Sequence, residues 1–235
     1  MKSNENKEGT AKLEIACFNE EAAMIAANEG ADRIELCESY SLGGITPAIE
    51  TLQRLKVKYD IPIYVMIRPR GGDFIYNDEE FLQMKDELAT FYEAGADGFV
   101  FGILTPDLKI DVLRNRELVD LAKGKPCTFH RAFDLVQDDV IAMEEVISCG
   151  FTTILSSGGD HPAIKGISTL MEMKNRAAGR ITILVGGGVR SRNLMQFKRH
   201  FDFVHTASIK PGTEEIDVKE LRAIKAILDG PDYTL

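Results

Sequence analysis

The chain has 235 residues, 44% hydrophobic and 28% charged, which is enough apolar material for one large core. Its formal net charge of −9 argues against nucleic acid or an anionic membrane as the main partner, because both attract basic surfaces. No apolar run approaches the roughly 18 residues of a membrane span, and the polar start MKSNENKEGTA lacks the apolar centre of a signal peptide.

Residues 1–11 therefore read as a flexible tail. After them, eight short apolar or β-branched runs alternate with longer segments of helical period: KLEIACF, DRIELCE, PIYVMIRP, GFVFGIL, PCTFHRAF, TTILSSG, ITILVGGG and FVHTAS. The intervening segments carry helix signals. Thr46-Pro47 predicts a helix start with proline at the first helical position, and Asn77…Glu80 and Asp217…Glu220 have capping spacing. Gly30, Gly95 and Gly150 mark helix stops, and the phrase GAD recurs at 30–32 and 95–97, each time between a helix and a strand. Eight strand–helix units predict a single (β/α)8 TIM barrel over 12–230, with 231–235 as a C-terminal tail. A doubly wound open sheet would leave elements over.

Strand residues alternate between the barrel interior and the helix-facing side, and the apolar phase should meet the helices. That rule sends Glu14, Glu35, Arg68, His130 and His205 inward from five different strands. Charged groups are seldom buried without partners. These five either plug the barrel as an ion-pair network or form a site at the mouth, where barrel enzymes collect reactive groups from strand ends. Two carboxylates, two imidazoles and a guanidinium supply acid, base and anion-clamp chemistry.

Three loops extend the candidate site. In RPRGGD, Arg70 shares strand phase with Arg68, and Asp73 closes a glycine turn that otherwise reads as an ordinary surface turn. In FHRAFD, Arg131 and Asp134 lie beside His130. SSGGD and VGGGVRSRN follow strands 6 and 7, so Ser157, Gly187 and Gly188 stand where barrels often bind phosphate, although a tight turn would use the same glycines. His161 and His200 read as surface residues.

The motifs LEIACF, ADRIELCES, GGITP, IRPRGGDF, TFHRAFD, ILSSGG and VGGGV…N, in that order over about 12–208, resemble those of the copper homeostasis family CutC. The resemblance implies a TIM barrel, a cytoplasmic location, a homodimer, and copper ion binding with Cys17 and Cys37 as ligands. Thiolates suit Cu(I). The four cysteines lie far apart without a CxxC pair, which fits reduced thiols in the cytoplasm. By strand phase, however, Cys37 points inward and Cys17 outward, so the two sulfurs meet only if strand 1 ends or bulges after Ala16. The residues themselves suggest an enzyme acting on a small anionic or phosphorylated metabolite. Glu35 or Glu14 would work with His130 in isomerase, epimerase or lyase chemistry, Arg68 and Arg70 would clamp the anion, and His205 would assist. A divalent metal on His130, His205 and a carboxylate, and a non-catalytic ligand-binding barrel, fit the same residues.

Overall fold

The computed structural model describes residues 11–159 and 161–231; residues 1–10 and 232–235, which make up most of the two expected tails, lie outside the described residues. Ala11, assigned above to the tail, is buried in the core. The elements alternate along the chain: β1 (Lys12–Cys17), α1 (Glu20–Asn28), β2 (Arg33–Leu36), α2 (Ile49–Lys58), β3 (Ile63–Met66), α3 (Asp78–Glu93), β4 (Gly98–Phe101) and α4 (Val112–Leu121). They continue as β5 (Cys127–Phe129), α5 (Asp139–Cys149), β6 (Thr153–Ser156), α6 (Ile167–Ala177), β7 (Thr182–Val185), α7 (Ser191–Lys198), β8 (Phe203–Thr206) and α8 (Val218–Asp229). The strands are parallel and close into a barrel in sequence order, with β8 paired to β1. This is a (β/α)8 TIM barrel. No helix of the described residues is long and apolar enough to cross a membrane.

Two apolar layers separate as strand alternation requires. Leu13, Ile15, Ile34, Leu36, Ile63, Val65, Phe99, Phe101 and Phe129 join the large cluster between strands and helices. Ala16, Phe18, Cys37, Tyr64, Met66 and Val100 form a smaller cluster inside the barrel. The repeated GAD has a mechanical role. Asp32 accepts the Leu13 N–H and Asp97 the Ile63 N–H, each at 2.8 Å, so the same tripeptide ties down a neighbouring strand start twice.

Asn77 and Glu80 make the reciprocal capping box of α3. Asp217 caps α8 alone, because Glu220 turns to Ser191 at the start of α7. The expected helix start at Thr46-Pro47 is displaced: α2 begins at Ile49, and the Thr46 hydroxyl instead donates to Glu87 and accepts the Arg68 N–H.

Gly98 is the register partner of Tyr64. A Cβ there would lie 2.8 Å from the Tyr64 ring and 2.7 Å from the Pro126 carbonyl, contacts closer than packed atoms tolerate. Gly98→Ala is therefore expected to destabilise the barrel by about 1–3 kcal/mol, as overpacking does. Thermal unfolding followed by circular dichroism checks this; an unchanged midpoint would mean that Tyr64 moves aside freely.

Candidate functional site

The floor of the site is built by strand register. Glu14 on β1 stands opposite Arg33 on β2 and His205 on β8. Side chains of register partners share a face, so all three meet inside the barrel. Arg33 Nε donates to Glu14 Oε2, and His205 Nδ1 lies 2.7 Å from Glu14 Oε1. The Arg33 guanidinium is sandwiched between the rings of Tyr64 and Phe203, 4.3 and 4.4 Å from their centroids. Burial alone would raise the Glu14 carboxyl, but Arg33 and then His205 outweigh it and hold Glu14 below the ordinary carboxylate range. Glu14 therefore stays anionic at neutral pH.

Above it, His205 Nε2 faces Glu35 Oε2 at 3.9 Å. Burial disfavours a charged imidazole, but Glu35 and Glu14 together prevail and raise His205. Glu35 is raised, chiefly by burial and further by the Glu14 charge, against the opposing pull of His205. Its Oε1 is buried without a hydrogen-bond partner, while Oε2 accepts from the Cys37 thiol. Glu14, His205 and Glu35 thus stand in a row, the first two joined by a hydrogen bond and His205 separated from Glu35 by 3.9 Å.

His130, at the end of β5, has a different character. Burial and the nearby Arg68 lower its imidazole to about 3, so the ring is neutral. Its Nδ1 accepts the Ala132 N–H, which leaves the ring proton on Nε2, and Nε2 is buried without a partner.

Glu35, His130 and His205 line one cavity of about 390 Å3 at the C-terminal mouth of the barrel. Its far wall comes from the loops after β5, β6 and β7. A short 3-10 turn, Arg131–Leu135, follows His130. Asp134 in that turn accepts from Arg131 Nε, from both hydroxyls of Ser156 and Ser157, and from the Ser157 N–H. Gly187 and Gly188 have positive φ, and Gly187 packs so closely that a Cβ would lie 3.0 Å from Ser157 and 3.4 Å from both Arg131 and His161. Arg190 lies beside them with Nη1 buried and unpartnered. Guanidinium groups around a glycine turn that leads into a helix suit an anion.

A model of the CutC family matches residues 11–210, a span that includes all eight strands. The chain belongs to the CutC family. The copper homeostasis protein cutC homolog of Homo sapiens is 44% identical over 184 residues, which is 78% of this chain and 67% of that protein. A CutC family protein of Treponema denticola is 39% identical over 201 residues, 85% of this chain and 82% of its own. A crystal structure of the Streptococcus agalactiae copper homeostasis protein CutC superposes with a TM-score of 0.79 at 30% identity, covering 84% of this chain and 98% of that one.

Within this CutC-family barrel, the residues singled out in the sequence separate into groups. Glu35, Arg68, His130, Arg131, Gly187, Gly188 and His205 line the mouth, with Glu14 beneath them and Ser157 behind Gly187. Arg68, however, spends its fork on protein carbonyls: Nη1 donates to Leu42 and Gly44, and Nη2 to Gly72. Arg70 and Asp73 stand outside the cavity. The strand ends at Met66, so phase no longer governs the loop, and Arg70 pairs with Glu80 at 2.5 Å and with Asp73 at 3.0 Å. His161 is exposed as expected, yet it lines the cavity. Arg33 and Arg190 escaped the sequence reading. Arg33 shares the phase of Glu35, a usable signal hidden by its place at the strand start.

Cys17 and Cys37 do not converge. The Cys37 N–H bonds the Cys17 carbonyl, but the Cys17 sulfur contacts the Ile15 carbonyl in the helix-facing layer while Cys37 joins the interior cluster. Burial, and then the charges of Glu35 and Glu14, push both thiols well above their ordinary value. As placed, the pair does not fit one shared Cu(I) ion. Among the described residues, the grouping with metal-ligand spacing is Glu14, Glu35 and His205, with ligand atoms within 4.8 Å of one another. His130 is not part of it. Its oxygen-rich donor set suits a harder ion than Cu(I), and both Glu14 oxygens are already engaged.

The neutral state of His130 has a measurable cost in acid. The unfolded chain binds its proton below the ordinary value of 6.5, whereas the folded chain resists to about 3. Stability from this residue is therefore full above pH 6.5 and drains as pH falls towards 3, at up to about 1.4 kcal/mol per pH unit. Denaturant unfolding from pH 7 to 4 should show a shallower slope in His130→Gln than in wild type. Parallel slopes would contradict a buried neutral imidazole.

Proposed function

We propose that this CutC-family chain is an acid–base enzyme acting on a small anionic metabolite at the C-terminal mouth of the barrel. One observation carries the reading: polar groups of complementary chemistry around a single cavity are buried with atoms left unpartnered, among them Glu35 Oε1, His130 Nε2 and Arg190 Nη1. Among the described residues, four of the eight side chains with such an atom, Glu35, Arg68, His130 and Arg190, line this one cavity, and each orphaned buried group costs about 1–3 kcal/mol. Groups held ready for a ligand are orphaned until it arrives.

The division of labour follows from the floor upward. Arg33 keeps Glu14 ionised, and Glu14 fixes the orientation of His205. His205 faces Glu35, whose raised affinity for protons suits it to give and take one near neutral pH. His130 donates a hydrogen bond without carrying charge. Arg131, Arg190 and the Gly187–Gly188 turn receive the anionic end.

Two measurements test this reading. Small phosphomonoesters should raise the thermal midpoint of the wild type; a ligand at one hundred times its dissociation constant contributes about 2.7 kcal/mol. Arg131→Ala should lose most of that shift and Arg70→Ala should keep it. In a cell-free metabolite extract analysed by mass spectrometry, wild type should deplete a species that Glu35→Gln leaves untouched. No thermal shift with any phosphomonoester, or equal shifts in both arginine variants, would sink the assignment of the anion end.

The names of the relatives favour a second reading, a role in copper homeostasis, which we propose in the form of direct binding of Cu(I) in the cytoplasm. The diverging sulfurs of Cys17 and Cys37 weigh against a shared ion. Titration of reduced protein with Cu(I) against a competing chelator should give binding indifferent to Cys17→Ser. Tight one-to-one binding abolished by either Cys17→Ser or Cys37→Ser would establish the copper reading instead.

A further inference from the structure

We infer that the reaction at this mouth is proton transfer next to a carbonyl, the enolisation of a phosphorylated α-hydroxy ketone or aldehyde, with Glu35 as base and His130 Nε2–H as donor to the carbonyl oxygen. The inference rests on the acid–base reading above and adds the reaction and the substrate class to it.

His130 can offer only one nitrogen. Nδ1 is engaged by the Ala132 N–H, and Gly102 presses so close that even a Cβ there would lie 2.9 Å from Nδ1. The Phe74 ring covers the imidazole with centroids 4.7 Å apart. The ring is thus held with its N–H as the available group. A neutral imidazole polarises a carbonyl and stabilises the oxyanion that develops from it without having to surrender its own proton. A reaction needing a histidine base would call for the opposite arrangement, a free lone pair.

Glu35 complements it. Oε1 is the unpartnered oxygen, while Oε2 accepts from the Cys37 thiol and faces His205 at 3.9 Å. A desolvated carboxylate oxygen is suited to removing a carbon-bound proton.

The glycine run after β7 places the acid–base end beside the anion end. A Cβ at Gly186 would lie 3.1 Å from the His205 ring, and one at Gly187 3.4 Å from the Arg131 guanidinium. Consecutive Cα atoms are only about 3.8 Å apart, so a short molecule reaches both ends. A cavity of about 390 Å3 is at the small end for ligand sites and fits a chain of a few carbons with one phosphate. Phosphate is favoured because Arg190 Nη1 is unpartnered and the Gly187–Gly188 turn feeds the first residues of α7.

The step balances without a co-reactant. Glu35 takes the proton from the carbon bearing the hydroxyl, and that C–H pair becomes the carbon–carbon double bond of an enediolate. The carbonyl π pair moves to oxygen, which is held by His130 Nε2–H. Return of the proton from Glu35 to the neighbouring carbon, with the hydroxyl proton passing between the two oxygens, yields the isomer.

The experiment incubates wild type in D2O with dihydroxyacetone phosphate, ribulose 5-phosphate and fructose 6-phosphate, with unphosphorylated dihydroxyacetone as control. Proton NMR follows loss of the carbon-bound proton, and thermal shift is read on the same samples. Wild type should exchange the α proton of at least one phosphate and leave the control unchanged. Glu35→Gln should abolish exchange. His130→Ala should slow it about 10²–10³-fold, the usual loss for a removed oxyanion donor. His130→Gln should restore part of it, since its amide also donates, and circular dichroism of each variant confirms folding. Thermal shifts without exchange would overturn enolisation and leave the anion-binding mouth standing. Neither shift nor exchange would overturn both. Exchange indifferent to His130→Ala would remove His130 from the reaction.

Discussion

The interior ion pair of Glu14 and Arg33 is the constraint on which the rest of the site depends. A carboxylate fully enclosed by a barrel is tolerated only with a partner, and Arg33 reaches it by lying flat between two aromatic rings. With Glu14 fixed as an anion, His205 gains its orientation and its affinity for protons, and the charge at Glu35 is in turn set by both. The aromatic sandwich needs Tyr64, and Tyr64 needs the vacancy at Gly98. Five strands, β1 to β4 and β8, thus set the electrostatics around one buried charge.

The fold was legible because a closed parallel barrel imposes a repeating pattern. Each strand is covered by helices on one side, so the apolar phase identified the other side, and Glu14, Glu35, His130 and His205 could be placed inside from alternation alone. Alternation fails where strands stop. Arg70 was assigned by extending the phase of β3 four residues past Met66, and the chain there answers to Glu80 at the start of α3 instead. Arg33 was missed at the other end of its strand for a related reason: a charged residue at a strand start reads as a boundary. His161 and Arg190 reach the cavity through loop paths, which no periodicity encodes. The inward turn of Cys37 and the outward turn of Cys17 followed from the same alternation, and β1 continues through Cys17 without the break that would bring both sulfurs together.

The two histidines show how one barrel prepares opposite chemistries from one side chain. Both are buried, and burial alone would keep both neutral. His205 has two carboxylates within reach and is raised; His130 has a guanidinium nearby and is lowered. The two carboxylates set His205 apart from His130, which burial first and Arg68 second hold neutral.

Arg68 fastens the loop after β2 to the loop after β3 by holding carbonyls from Leu42, Gly44 and Gly72 at 2.9 Å each. Those two loops therefore form a single stiff rampart on one side of the rim. A change in either loop is thereby transmitted to the other through one side chain, so the two segments answer to Arg68 as a unit.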